Sequence, residues 1–272
     1  MLMQRVLTAL VLLPLLLALV WFAPTPWLYL ALSAVGLVMA WEWTAFMRLT
    51  APLQRAGYLL LTAAVLALVW FSPINGPGLT TALIPVVLIW LIVPLRFRGF
   101  PANGAVSTPL MVVAGQLMIA STLLSIAALH ALPNGPIKLL FVFFLVFAAD
   151  TGAYFAGRRF GKHKLAPNIS PGKTVEGAIG GLVLCALWGG VAGSFAFGLH
   201  SPGAIALMVV LSLIVAVASI IGDLTESMLK RAVGLKDSGH ILPGHGGILD
   251  RVDSIVAAAP TMLLGLRLCG LV

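Results

Sequence analysis

The chain has 272 residues, of which 61% are hydrophobic and only 9% charged, with a mean hydropathy of +1.10. A soluble domain carries about 25% charged residues, so these figures exclude a water-soluble fold and point to an all-α, polytopic integral membrane protein. The net charge of +8 would suggest nucleic acid in a soluble protein; on a chain of apolar spans it meets anionic lipid instead, and no nucleic-acid partner is expected. Cys185 and Cys269 lie far apart inside apolar runs, fit no zinc spacing and read as inert core residues.

Apolar runs predict nine spans, at roughly 5–22, 27–47, 57–72, 79–95, 110–130, 137–157, 175–198, 203–222 and 254–271. The first follows Arg5 and resembles a signal peptide, but no small-x-small cleavage site follows it, so it is expected to be retained. Proline and glycine mark many ends: Pro24 and Pro26, Pro73 to Gly78, Gly99 to Pro101, Pro133 to Pro136, and Pro202 with Gly203. Pro14, Pro85, Pro94 and Pro260 fall within runs and are expected to kink them. With the N-terminus cytoplasmic, fourteen of the sixteen basic residues fall on the inside, and only Lys138 and Arg267 fall outside. That bias predicts nine spans, N-terminus in and C-terminus out.

Residues 1–135 are expected to be a transmembrane scaffold of about five helices, and 136–272 a catalytic region of about four helices with two cytoplasmic loops. The first part holds one acid, Glu42, between Trp41 and Trp43. It reads as a snorkelling interfacial residue whose replacement by Gln leaves activity largely intact; the alternative is a partner of the site.

Three constellations carry chemistry. Asp150 follows eleven residues without charge; an ionised carboxylate at such a place faces a wet cavity, a cation or a basic partner, the plain alternative being a pair with Arg158 or Arg159. Next comes Ser170-Pro171-Gly172-Lys173-Thr174-Val175-Glu176-Gly177, in which Ser170 is expected to cap the seventh span. Free N–H groups and Lys173 there suit phosphate, with Glu176 orienting Lys173 or binding a sugar hydroxyl. The third is Gly222–Ser254, which gathers five of the eight acids: Asp223, Glu226, Asp237, Asp250 and Asp253. If the eighth span stays helical past Gly222, then Asp223, Glu226, Ser227 and Lys230 share a face, and a loop with five glycines leads to Asp250 and Asp253. Two acidic helix ends facing each other across that loop form an oxygen-donor site suited to Mg2+; the plain alternative is a salt-bridged loop. No nucleophile–base pair is evident, so metal ligands and cations point to phosphoryl or nucleotidyl transfer.

From Ser227 to Asp253 the run S-M-L-K-R-A-V-G-L-K-D-S-G-H-I-L-P-G-H-G-G-I-L-D-R-V-D resembles the signature of the phosphatidate cytidylyltransferases, the CDP-diacylglycerol synthases. The Asp150–Tyr154 run and the Ser170–Gly177 loop are also similar to that family. The resemblance implies that CTP and phosphatidate give CDP-diacylglycerol and pyrophosphate, with Mg2+ and a second, monovalent cation beside it. It also implies a homodimeric, multi-pass enzyme of the bacterial inner membrane, with its site on the cytoplasmic side. On this reading Asp223 and Asp250 hold Mg2+ with Asp253 as a further ligand, and Lys230, Lys236 and Arg251 act with them in catalysis. Ser170, Lys173, Thr174, Glu176, Ser227, Arg231, His245 and Asp150 contact substrate. A CTP-dependent lipid kinase of the polyprenol or phytol type is the nearest rival. A transporter is the rival from another class, though its acids would sit at the midplane.

Overall fold

A backbone in lipid finds partners for its N–H and C=O groups only within a helix or a closed barrel, and the uncharged runs of this chain become helices. The computed structural model describes residues 2–71, 76–102 and 106–272. Its helices are α1 (Leu2–Phe22), α2 (Thr25–Phe46), α3 (Pro52–Trp70), α4 (Pro77–Ile92), α5 (Thr108–His130), α6 (Gly135–Phe160), α7 (Val175–Phe197), α8 (Pro202–Ala232), the short α9 (Leu249–Val252) and α10 (Ile255–Leu268). An antiparallel hairpin, β1 (Lys164–Ala166) and β2 (Ser170–Thr174), joins α6 to α7.

Among the described residues, seven helices are long and apolar enough to cross a membrane. The first helix contributes a shorter apolar stretch, Leu10–Phe22, and α10 has 14 residues. Proline opens α2, α3, α4, α5, α6 and α8, where its missing N–H costs no intrahelical bond. Pro14, Pro85 and Pro260 lie inside helices, and Pro94 lies in a 3-10 turn, Val93–Arg96, that extends α4. The break expected from Pro73 to Gly78 falls partly outside the described residues, at 72–75.

Two expectations about local structure are corrected. Ser170 and Pro171 do not open a helix; they lie in β2, and the cap of α7 is Thr174, whose Oγ1 accepts a hydrogen bond from Gly177 N at 3.1 Å. Pairing of Lys164 with Thr174 and of Ala166 with Ser170 keeps this polar segment extended until the hairpin closes. The ninth apolar run opens as a separate turn, α9, which holds Asp250, with Asp253 just after it and α10 following.

The loops sort to two ends. At one, Arg48 Nη2 donates to Ala232 O at 3.1 Å, Asn168 Nδ2 to Phe100 O at 3.2 Å, and Thr8 Oγ1 to Pro243 O at 3.2 Å. At the other, His130 bridges Thr25 Oγ1 and Val20 O, and Arg267 donates to Gly76 O. Both large apolar clusters draw on the two halves of the sequence. One joins Leu28 and Leu129 to Met208 and Met262; the other joins Trp43 and Ile119 to Leu249 and Val256.

Helices α6 and α7 approach through small residues, as helices in lipid do when backbone contact replaces side-chain interlock. A Cβ on Gly152 would lie 2.5 Å from Gly180 O, and one on Gly181 would lie 2.6 Å from Ala149 O. Gly152→Val is therefore expected to separate α6 from α7, with overpacking of about 1–3 kcal/mol and a lower thermal midpoint of the detergent-solubilised protein. Gly57→Ala, with nothing within 4 Å of the added carbon, is expected to leave the midpoint unchanged or raised.

Candidate active site

The eighth helix runs 31 residues and does not stop at the end of its apolar stretch. Its last turns carry Asp223, Glu226, Ser227 and Lys230, as the spacing predicts. Lys230 is buried between two acids: its Nζ donates to Glu226 Oε2 at 2.8 Å and to Asp250 Oδ1 at 2.5 Å. The other Asp250 oxygen, Oδ2, accepts from Ser238 N and Gly247 N, each at 2.8 Å, and lies 3.0 Å from Ser238 Oγ. Burial acts to raise the Asp250 carboxyl, but the Lys230 ammonium and the Gly247 and Ser238 N–H groups outweigh it and hold the carboxyl below its ordinary value.

A second group surrounds Asp223. Its Oδ2 pairs with Lys173 Nζ, and its Oδ1 lies 3.4 Å from Ser227 Oγ. Asp223 and Lys173 line a cavity of about 380 Å3 together with Asp150, Tyr154, Arg158 and Thr174. Asp150 reaches this space from α6 with its side chain exposed, and among the described residues no ion pair ties it to Arg158 or Arg159. Arg158 instead donates to Tyr154 Oη at 2.9 Å, one turn back. Asp253 connects the two groups. Burial pushes its carboxyl well above the ordinary range, the Asp223 and Glu226 carboxylates add to the push, and Lys173 opposes it.

On the opposite face of α8 lies an apolar cavity of about 280 Å3, lined by Val86, Ile89, Trp90, Leu110 and Leu117 and bordered by Glu226 and Asp253. The acids thus stand between a polar space and an apolar one.

Other expected site residues have contacts of their own. Glu176 does not orient Lys173: its carboxylate accepts from Lys162 N at 3.1 Å and His163 N at 3.2 Å, and meets His163 Nδ1 at 2.6 Å, clamping the start of the hairpin. The Thr174 hydroxyl caps α7, and Ser170 lies half-buried in β2. Lys236, Arg251 and Arg231 are exposed, the last facing Leu235 O. His245 is half-buried in the turn closed by Leu242 and Gly246, and His240 is exposed.

Three residues outside the expected catalytic, substrate and metal sets contact this cluster, although Glu226 was expected on its acidic face and Glu42 had a partner of the site as its alternative reading. Glu226 holds Lys230. Ser238 holds Asp250 through both its N–H and its hydroxyl. Glu42, expected at the lipid interface, is 3% exposed and bonds to the same loop: its carboxylate accepts from Ile248 N at 2.9 Å, Leu249 N at 2.8 Å and Ser238 Oγ at 3.0 Å. The signals available in the sequence were a lone acid in an apolar run for Glu42 and the helical spacing for Glu226; Ser238 had none.

Removing one partner of a buried ion pair leaves an uncompensated charge, at a cost of about 3–5 kcal/mol. Lys230→Met is expected to lower the thermal midpoint sharply, and adding Glu226→Gln is expected to recover part of the loss, because one of the two stranded carboxylates is then gone. Melting curves of the single and double variants check this.

The sequence matches the cytidylyltransferase family over residues 3–269. It is 39% identical to the phosphatidate cytidylyltransferase of Haemophilus influenzae over 96% of each chain. It is 37% identical to that of Pseudomonas aeruginosa, over 96% of this chain and 95% of the relative, and 37% identical to that of Brucella suis, over 97% and 92%. Matched along nearly its whole length, and with an ordered cluster of acids and lysines where the Ser227–Asp253 run falls, this chain belongs to the phosphatidate cytidylyltransferase family.

Proposed function

We propose that this protein transfers the cytidylyl group of CTP to phosphatidate, giving CDP-diacylglycerol and pyrophosphate. The observation that carries the reading is the cavity where Lys173, Asp223 and Asp150 meet, separated only by α8 from an apolar space, in a chain of this family. Joining a water-soluble nucleotide to a lipid requires such a boundary.

In the reaction a phosphate oxygen of phosphatidate forms a bond to the α-phosphorus of CTP. The bond from that phosphorus to the bridging oxygen breaks, and its electron pair leaves with pyrophosphate. The attacking group is already an anion at neutral pH, so no base must take a proton from it. The chemical task is to bring polyanions together and stabilise the leaving group. Lys173 suits this role, because it exchanges the Asp223 carboxylate for a phosphate oxygen when substrate enters. Arg158, in the wall of the same cavity, supplies a second cation. Lys230 keeps Asp250 and Glu226 neutralised, while Arg231, Lys236 and Arg251 stand exposed where an anionic nucleotide or headgroup approaches. Glu176 and Thr174 act by fixing the hairpin and the start of α7 around Lys173.

Among the described residues no three acid, histidine or cysteine side chains converge as a ready metal set. The donor chemistry nevertheless fits Mg2+, which takes one or two carboxylates and completes its shell with water and phosphate oxygens. Burial first, and then repulsion from Asp223 and Glu226, raise the Asp253 carboxyl, and a divalent cation would relieve both. Asp223 and Asp253 would hold the ion, and Asp250 would join them only by releasing Lys230. When bound, the metal would neutralise charge on the phosphates and the leaving group.

The membrane arrangement proposed is nine spans with the N-terminus and the site on the cytoplasmic side of a bacterial inner membrane, as a homodimer. Its support is the basic-residue bias, together with the meeting at one end of the bundle of the segments around Arg48, Phe100, Asn168 and Ala232.

Purified protein given CTP, Mg2+ and phosphatidate is expected to release pyrophosphate and form CDP-diacylglycerol, with ATP and GTP poor substitutes. Release of CDP and a phosphorylated lipid would instead identify a lipid kinase. Asp223→Asn is expected to lower turnover at least about a hundredfold at unchanged membrane level, since each 1.36 kcal/mol of lost transition-state stabilisation is about tenfold in rate. Single cysteines at Lys162 and Lys236 should resist an impermeant thiol reagent in intact cells; ready labelling from outside would reverse the topology.

A further inference from the structure

We propose that Glu42, from the second helix, is a positioning residue for the transfer reaction: it fixes in place the loop that presents Asp250 to Lys230. The inference rests on the cytidylyl-transfer reading only for its activity readout. The α9 turn carries no side-chain cap of its own; its N-cap position is Ile248. Glu42 takes that role from another helix. Its Oε1 accepts from Ile248 N and its Oε2 from Leu249 N, the first N–H groups of α9, where a negative charge is favoured. Its Oε2 also lies 3.0 Å from Ser238 Oγ, the same distance that separates this hydroxyl from Asp250 Oδ2. A hydroxyl has one proton, so Ser238 stands between two carboxylates and can donate to only one at a time. Glu42 thereby reaches Asp250 through one shared side chain.

The loop glycines bear this out independently. A Cβ on Gly239 would lie 2.6 Å from Glu42 Oε1, and one on Gly247 would meet Ser238 Oγ first and lie 2.5 Å from Glu42 Oε2. The loop has no side chain at these two positions because a carboxylate from α2 occupies the space. Two of the loop's five glycines leave room for Glu42.

Gln at position 42 keeps the size but turns one oxygen into an N–H2 donor, which meets either the Ile248 N–H or the Leu249 N–H head-on. Glu42→Gln is expected to lower turnover per folded molecule at least about tenfold. It should also speed amide hydrogen exchange across 238–250 while leaving the α6–α7 interface protected. Ser238→Ala removes the shared hydroxyl from the loop side, and the double variant should lose little more than the worse single, since both break one linkage. Turnover per folded molecule within twofold of wild type, whatever the yield, overturns the proposal, as do additive losses in the double variant. Should wild-type protein make no CDP-diacylglycerol, the transfer reading fails, and the exchange of 238–250 in Glu42→Gln still decides whether Glu42 holds the loop: unchanged exchange overturns that as well.

Discussion

Lys230 held between Glu226 and Asp250 is the contact on which the loop from α8 to α9 depends. One cation lies between two acids in surroundings where none of the three is more than 10% exposed. Burying charge is costly, and such a cluster adds little to net stability compared with apolar packing. What it supplies is uniqueness. The chain leaves α8 at Ala232, passes through a loop rich in glycine, and must return to begin α9 at one place. Asp250 meets the buried Lys230 ammonium at the return, so the register is fixed electrostatically as well as by the burial of Leu249. The Ser238 and Gly247 donors then close around the same carboxylate.

The two acids expected to hold Mg2+, Asp223 and Asp250, consequently have different environments. Asp223 faces a cavity and a half-exposed lysine, which can exchange partners; Asp250 faces a buried lysine and three loop donors, which cannot do so without opening the loop. A labile pair in the open cavity beside a rigid pair behind it is a sensible division for a site that must admit two polyanions. Charge at the entrance has to rearrange, while charge behind it keeps the frame.

How much of this was legible follows from how local each determinant is. The spans were legible because lipid leaves the backbone few choices, and prolines at helix starts mark the ends. The Gly222–Ser254 segment was legible because polar residues in an apolar chain stand out, and Asp223, Glu226 and Lys230 follow helical spacing. The hairpin at Lys164–Thr174 was not, since its short strands show no alternation and Ser170-Pro171 imitates a helix start. Thr174 wins the cap because β2 pairing holds the preceding residues extended. The environment of Asp250 was not legible either, as it depends on which backbone N–H groups a folded loop turns inward. Least legible was Glu42, which meets Ser238 across 196 residues of sequence.

That long-range contact changes what the N-terminal half is for. A scaffold that only filled lipid would have no reason to place its one acid, fully buried, against the N-terminus of a four-residue helix. A buried carboxyl in that position is tolerable because it meets two backbone N–H groups and a hydroxyl shared with Asp250, all from the segment between Ser238 and Leu249. The same end of α2 carries Arg48 just beyond it, whose guanidinium reaches Ala232 O at the terminus of α8. One helix of the first half therefore grips the catalytic loop at both of its roots, the exit from α8 and the entry to α9. Movement of α2 relative to α8 would be felt at Asp250 before it was felt at Asp223, because the loop is tied to α2 whereas the cavity around Asp223 is built mainly from α6, the β1–β2 hairpin, α7 and α8.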